Sequence, residues 1–224
     1  EMIVNQVNHN ALSRSGYTFQ LSPNIGLSFR YSGHGKDGLE AAGRTNHDRS
    51  FDIDFGLLKE TTNFPALNIG LKDFIGTGWY SSEYIVGTKN IGDFSLSAGL
   101  GFGRLAGRNQ IKNPFSIINK KFLTREKKDV GTGGTLGNLN WFNGPMSPFV
   151  GLRYDYNRKT SFLIEYTPDL MLRERNYLKI KSPINASLSY NLNESFSLNA
   201  QYLHGSTIAV GANSTQTLNI PEDG

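Results

Sequence analysis

Cysteine is absent from this chain of 224 residues, and no run of apolar residues is long enough for a membrane-spanning helix. Without cysteine there is no disulfide framework, no thiolate zinc site and no cysteine nucleophile. The sequence as given also carries no basic and apolar leader before Glu1, so we expect any export signal to have been removed or omitted. These absences exclude several enzyme classes and helical membrane proteins.

Aromatic and small residues are plentiful: the chain has 14 Phe, 10 Tyr and 25 Gly. Such residues suit strands whose rings lie at membrane interfaces and whose turns need a permissive backbone. Only 38% of the residues are hydrophobic. A membrane barrel turns only every second strand residue toward lipid, so this polar average does not exclude a membrane protein. The net charge of +4 is modest, and we expect no nucleic-acid partner.

Apolar and polar residues alternate along much of the chain. Phe94 and Leu96, for example, alternate with Ser95 and Ser97. A period of two is the side-chain period of a β-strand. The same period occurs in residues 25–32, 51–57, 67–72, 93–103, 150–156, 186–192 and 196–202, and less regularly in 79–89 and 161–167. About ten strands are therefore clear, and Met2 to Val7 and Thr207 to Ala212 bring our preferred count to about twelve, with ten as the fallback.

Alternation alone also fits a soluble sandwich or a lipocalin-like barrel, but the links between strands favour a membrane barrel. Links at 22–24, 61–65, 90–92, 157–160 and 193–194 are short; those between them, at 33–49, 76–78, 105–146 and 168–183, include three long ones. Short turns at one end and long loops at the other are typical of outer-membrane barrels. The polar positions hold Gly, Ser, Asn and mixed charges, whereas soluble surfaces are usually rich in Lys and Glu.

We therefore predict an all-β protein, an antiparallel transmembrane β-barrel of the bacterial outer membrane with a long, partly helical outer loop. Residues 1–224 would form one domain with an insertion loop at 104–146, and both ends would lie in the periplasm. Charged residues at polar strand positions are candidates for the lumen wall: Arg30, Asp52, Asp54, Lys72, Glu83, Arg153, Asp155 and Glu165. Paired carboxylates could serve a glycosidase, but the cations among them favour a salt-bridge network.

The insertion loop is strongly basic. Its cations are Arg104, Arg108, Lys112, Lys120, Lys121, Arg125, Lys127 and Lys128. They would attract a polyanion, or else pair with lipopolysaccharide phosphates or keep the loop solvated. Phe115, Ile118 and Phe122 have helical spacing after a proline, which predicts a short amphipathic helix over the lumen or on its rim.

No catalytic machinery stands out. The four histidines, His9, His34, His47 and His204, lack ligand spacing, so we expect solvated side chains and no metal site. A serine hydrolase triad depends on convergence in space, which the sequence does not reveal. We predict a protein that is not an enzyme and has no cofactor.

Several short stretches have a distinctive wording and order. They are Gly56–Glu60, Pro65–Leu67, Gly70–Gly78, Tyr80–Tyr84, Asp93–Phe94, Gly99–Gly103, Trp141–Phe142, Glu165–Asp169 and Tyr202–Thr207. Together, from about Tyr17 to Thr207, they resemble the YjbH-type exopolysaccharide-biosynthesis outer-membrane proteins. Members of that family are usually longer, with a second barrel-like half, and the chain ends at Gly224 without a closing aromatic residue. An N-terminal half of a longer two-barrel protein therefore remains an alternative.

The resemblance implies an outer-membrane barrel that works with exopolysaccharide or capsule export and has no enzyme activity. Our leading hypothesis is a barrel that assists export or surface handling of an exopolysaccharide. The alternatives are a general diffusion porin and a non-conducting scaffold for a periplasmic secretion partner. Expected partners are outer-membrane lipids and lipopolysaccharide, an anionic exopolysaccharide, and periplasmic or lipoprotein export partners.

Overall fold

A computed structural model describes residues 2–9, 12–34, 46–126, 135–136, 140–172, 174 and 178–216. Nearly all of the regular structure in these residues is β-strand. The strands are β1 (Met2–His9), β2 (Leu12–Ser22), β3 (Ile25–His34), β4 (Asn46–Leu58), β5 (Ala66–Gly76), β6 (Ser82–Ile91), β7 (Phe94–Gly103), β8 (Thr135–Leu136), β9 (Met146–Asp155), β10 (Thr160–Tyr166), β11 (Ile184–Asn191), β12 (Phe196–Leu203) and β13 (Thr207–Gln216). None of the helices among the described residues is long and apolar enough to span a membrane.

All thirteen strands belong to one antiparallel sheet, which confirms the predicted all-β, antiparallel architecture. Their order is β4-β3-β2-β1-β13-β12-β11-β10-β9-β7-β6-β5-β8, and β4 pairs with β5 as well. Because neighbours along the chain run antiparallel, the short links after β2, β4, β6, β9 and β11 lie at one end, the turn end. The opposite end, the loop end, holds the links after β3, β5, β7, β10 and β12. Met2 is opposite Gln216, so β1 starts and β13 finishes at the turn end.

The two faces of the sheet differ in polarity and in exposure. In β12, Phe196, Leu198 and Tyr202 are 47–52% exposed, whereas the intervening Ser197 and Asn199 are half-buried. The same alternation begins β7, and in β10 Phe162 and Ile164 are likewise exposed, although Leu163 lies among the sheltered positions between them. We call these the apolar face and the polar face. In a water-soluble protein the apolar side chains are the sheltered ones, so this sheet has the opposite arrangement.

Aromatic side chains form two groups on the apolar face. Near the turn end, the rings of Phe94 and Tyr154 stack with centroids 4.8 Å apart. Nearer the loop end, Phe29 contacts Phe51 at 5.0 Å and Tyr17 at 6.5 Å. The rings thus lie in two groups at different heights along the strands.

Three predictions about local structure need correction. The alternation did not single out β2, because its first half is Ser, Arg and Gly rather than alternating apolar residues. The irregular strand at 79–89 begins only at Ser82, and Trp79 and Tyr80 lie in the preceding turn. The predicted amphipathic helix is two 3-10 turns, at 114–117 and 120–123, each capped by an Asn side chain.

Candidate functional site

The polar face encloses a cavity of about 480 Å³ beside β5, β6, β7, β9 and β10. Three of the charged residues predicted for the polar face line this cavity: Lys72, Arg153 and Glu165. Tyr84 and Phe149 line it too, so cations, a carboxylate and aromatic rings share one space. The cavity therefore offers the mixed apolar and polar lining that small-molecule and sugar sites use.

The aromatic rings of the cavity are packed against glycines. Tyr84 and Phe149 meet edge to face at 6.3 Å. A Cβ added at Gly70 would lie 2.3 Å from the Tyr84 ring, and one at Gly99 would lie 2.3 Å from the Phe149 ring. Only glycine leaves room for these rings, which keeps them in place. The Lys72 ammonium lies 5.7 Å from the Tyr84 ring centroid, within reach of a cation-π contact.

Other predicted charges on the polar face have short-range partners. Arg30 lies 3.7 Å from Asp52, and Arg153 lies 2.7 Å from Asp155. The Asp54 carboxylate accepts a hydrogen bond from the Tyr84 hydroxyl. The Asn185 amide donates to Glu165 over 2.9 Å.

Glu83 is placed differently from the rest of the predicted set. Register pairs it with Phe102, which lies on the apolar face, and its carboxylate is 1% exposed. Arg125 donates two hydrogen bonds to it, at 2.6 and 2.8 Å, and the backbone N–H of Phe142 donates a third at 2.9 Å. The insertion loop therefore packs on the apolar face of β6 and β7 through Arg125 and Phe142, and Glu83 belongs to that contact.

A buried group of charges and one aromatic ring lies at the loop end; we call it the loop-end ion cluster (Tyr80, Arg104, Asp169 and Glu174). Arg104 Nε donates to Asp169 over 2.5 Å, and its Nη2 donates to Glu174 over 2.9 Å. The three charged side chains are 14%, 9% and 0% exposed. Burial alone would lower the pKa of Arg104, but the carboxylates of Asp169 and Glu174 raise it above its ordinary value.

The loop-end ion cluster joins segments that are far apart in the sequence. The Tyr80 ring lies between two guanidinium groups, 4.9 Å from Arg30 and 4.7 Å from Arg104. Arg108 of the basic loop donates to the Asp169 carbonyl over 3.0 Å. The cluster thus ties the link after β10 to the turn before β6 and to the start of the insertion loop. Alternation gave no sign of it, because its members lie in links, where side chains follow no strand period.

His204 lies beside this cluster, in the turn after β12. We expected a solvated side chain, but the residue is only 3% exposed, because the link after β10 crosses it: the backbone N–H of Lys181 donates to its carbonyl over 2.8 Å. This burial lowers the pKa of His204 below its ordinary value of 6.5, so the imidazole is neutral near pH 7. The side chains of His9 and His34 lie outside the described part of the chain. Among the described residues, no group of three His, Cys, Asp or Glu side chains is placed to hold a metal ion.

The remaining cations of the basic loop divide into two groups. Arg108 and Arg125 bind within the protein, as described above, whereas three lysines, Lys112, Lys120 and Lys121, are exposed. Lys127 and Lys128 lie outside the described residues.

Comparison with known proteins gives both a family and a fold. A model of the YjbH family, described as "Exopolysaccharide biosynthesis protein YbjH", matches residues 1–222. The chain is 29% identical over 170 residues to "Uncharacterized lipoprotein YjbH" of Escherichia coli (strain K12). That match covers 75% of this chain and 24% of the relative, so the chain spans about a quarter of the relative's length.

Solved structures of a porin resemble the fold. A KdgM porin in complex with disordered oligogalacturonate has a TM-score of 0.55 at 10% identity, covering 96% of this chain and 99% of the porin chain. A second KdgM porin structure has a TM-score of 0.50 at 9% identity, with the same coverage of both chains. At such low identity the similarity shows a shared antiparallel, porin-like β fold and nothing about ligands.

Proposed function

Because the chain belongs to the YjbH exopolysaccharide biosynthesis family, we propose that it is an outer-membrane β-barrel that assists export or surface handling of an exopolysaccharide or capsule. The observation that carries this proposal is the reversed polarity of the sheet. Ile208 and Val210 of β13 are 74% and 72% exposed. An apolar surface that extends over many strands is typical of a protein wall in contact with lipid.

A closed twelve-stranded barrel accounts for the pairing pattern. The pairing of β4 with β5 joins the two flanks of the sheet, and β8 is a two-residue addition beside β5. The apolar face would then face lipid, the polar face would line the lumen, and the two aromatic groups would lie near the membrane interfaces. With the longer links outside, both chain ends lie in the periplasm. We further propose that residues 1–224 form one barrel domain of a longer protein, with residues 104–146 as its insertion.

The chemistry of the cavity suits an anionic sugar polymer. Lys72 and Arg153 supply donors for carboxylate or phosphate groups, and Tyr84 and Phe149 supply flat apolar surface for sugar rings. Glu165, at the same wall, would repel a polymer that came too close and would keep binding weak enough for passage. The proposed mechanism is docking and passage without bond breaking, so no catalytic residue or cofactor is assigned.

Conductance of the purified chain in planar bilayers tests this proposal, with polygalacturonate as the acidic polysaccharide probe. We expect ion conductance that the polymer blocks. Replacing both cavity cations, in the variant K72Q/R153Q, should weaken the block about tenfold or more, because two charge-assisted contacts are lost. The matched control K59Q/R158Q removes two exposed cations at the turn end and should leave the block unchanged. A chain that stays monodisperse in water without detergent would refute the membrane barrel.

The loop-end ion cluster favours a second candidate, a non-conducting scaffold for periplasmic or lipoprotein export partners. Arg104, Asp169 and Glu174 lie buried where a polymer would have to leave the lumen. A correctly folded but silent barrel that retains such partners in a pull-down would support this function. Steady conductance that polygalacturonate does not block would instead indicate a general diffusion porin.

A further inference from the structure

The insertion loop is held against the apolar face by aromatic packing of its Phe115 and Phe142 rings. Phe102 of β7 lies on that face, yet it is only 1% exposed. The Phe115 ring stacks on it at 6.3 Å and the Phe142 ring meets it edge-on at 5.2 Å. This part of the loop therefore lies outside the barrel wall, beside the surface that the proposed function assigns to lipid.

A single asparagine fixes the backbone of this segment. The Asn113 amide nitrogen lies 3.1, 2.7 and 2.9 Å from the carbonyl oxygens of Phe122, Phe142 and Gly144, which share its two N–H donors. Its side-chain oxygen accepts the backbone N–H of Phe115 at 3.0 Å, which caps the first 3-10 turn. Residues between these contacts are thus presented on a fixed frame.

That frame carries an exposed apolar pair among exposed cations. Ile117 and Ile118 are 89% and 82% exposed. Lys120 and Lys121 follow them directly, and Lys112 precedes the turns; all three are exposed and have no ion pair among the described residues. Residues 104–125 contain six Lys or Arg and no Asp or Glu. Exposed apolar residues bordered by cations are the pattern of a surface that enters an anionic lipid interface.

We propose that Ile117, Ile118, Lys112, Lys120 and Lys121 form a binding site for lipopolysaccharide. The isoleucines would enter its acyl layer, and the ammonium groups would contact the phosphates of its glycolipid headgroup. The site lies at the loop end, opposite the chain ends, and in an outer-membrane barrel the longer loops face the cell exterior, where the leaflet is lipopolysaccharide. The inference rests on the proposed membrane placement and adds a defined lipid site to it.

Lipopolysaccharide binding by the folded full chain, measured in detergent by native mass spectrometry and titration, tests the site. The variant K112Q/K120Q/K121Q should bind about 100-fold more weakly, because each lysine near an anionic surface contributes roughly a factor of five. The variant I117S/I118S should also bind more weakly. The matched control K59Q/R158Q/K159Q removes three exposed cations at the turn end and should bind as the wild type does.

Two further binding measurements identify the lipid. A folding check separates failure of the lipid site from failure of the proposed function. For enzymatically dephosphorylated lipopolysaccharide, the wild type should no longer bind more tightly than the triple lysine variant. Equal binding of phosphatidylglycerol micelles and lipopolysaccharide would overturn the assignment, as would equal affinity of the triple variant and its control. All variants are first checked for the electrophoretic shift on heating that folded barrels show. A chain that conducts in bilayers but fails the lysine test refutes only the lipid site, whereas a chain that never inserts refutes the proposed function.

Discussion

Replacing Arg104 with glutamine should loosen the link after β10 at the loop end of the sheet. Arg104 is the cation that compensates two buried carboxylates, Asp169 at 2.5 Å and Glu174 at 2.9 Å. Glutamine keeps much of the side-chain length but removes the charge, so the ion pairs from position 104 to Asp169 and to the fully buried Glu174 are lost. The variant therefore isolates the electrostatic contribution of one guanidinium group.

The size of the effect follows from the burial of the group. Removing one partner of a buried ion pair costs about 3 to 5 kcal/mol, and the residual 14% exposure of the Arg104 side chain favours the lower end of that range. The link after β10 is closed when it packs in the loop-end ion cluster and open when it has left it. Opening releases both carboxylates into water, so the loss of the ion pairs destabilises the closed form alone. The closed-to-open ratio should then fall about 100-fold or more.

Trypsin cleavage after Lys179 or Lys181, both near the cluster, measures this opening, and bilayer conductance measures its consequence. In R104Q both the cleavage rate and the open fraction should rise, and R104K should lie between R104Q and the wild type, because lysine keeps the charge but not the forked geometry. The control is K89Q, which breaks the 3.1 Å ion pair with Glu60 at the turn end. If R104Q and K89Q are cleaved at the wild-type rate, the loop-end ion cluster does not hold the link.

Three further predictions concern other parts of the molecule. The variant G99A should lower the free energy of unfolding, measured by urea denaturation, by about 1 to 3 kcal/mol, because its Cβ would meet an aromatic ring. The control G26A, whose Cβ has no neighbour closer than 3.8 Å, should not lower it. Because burial lowers the pKa of His204, the unfolded turn binds a proton more readily than the folded turn, so the stability of the turn should fall as the pH drops below 6.5. The rate of trypsin cleavage should therefore rise with acid in the wild type and lose that dependence in H204Q. The variant R125Q should release the insertion loop, because it leaves Glu83 without its cation, and hydrogen exchange in residues 111–125 should increase while the strands stay protected.

The period-two pattern predicted most of the sheet because the environment of a strand residue depends on its face. In β12, Leu198 and Tyr202 are exposed and Asn199 is sheltered, as alternation requires of a wall with one apolar side. The same reasoning placed Lys72 and Arg153 on a common surface, and the structure brings both to one cavity. Alternation carries no information about distances across the polar face. The sequence therefore predicted the charged members of the cavity wall but not that they share a cavity.

Interruptions of the regular strand pleat could not be predicted from alternation, for a different reason. Asp73 has a positive φ of 54° and lies in an irregular stretch of the β4–β5 pairing. Its backbone N–H donates to the Asp52 carboxylate at 2.8 Å, and its own carboxylate accepts the N–H of Tyr80 at 2.8 Å. Between the pairs Phe51–Ile75 and Ile53–Leu71, β5 has two more residues than β4, so it leaves the regular ladder around Asp73 without changing the face of the residues beyond. The turn that holds Tyr80, and with it the loop-end ion cluster, depends on this local irregularity.

Glu83 shows where the relation between polarity and face fails. Alternation assigns a carboxylate to the polar side of a strand, on the assumption that the apolar side meets one environment along its whole length. At the loop end that assumption is false, because the insertion loop covers the apolar face and brings Arg125 and the Phe142 N–H to within 2.9 Å of the carboxylate. A charge on the apolar face is stable there because it is paired, and its partner comes from 42 residues further along the chain. Predicting the position of Glu83 therefore requires the fold of the loop, whereas predicting that of Arg153 requires only the alternation of its strand.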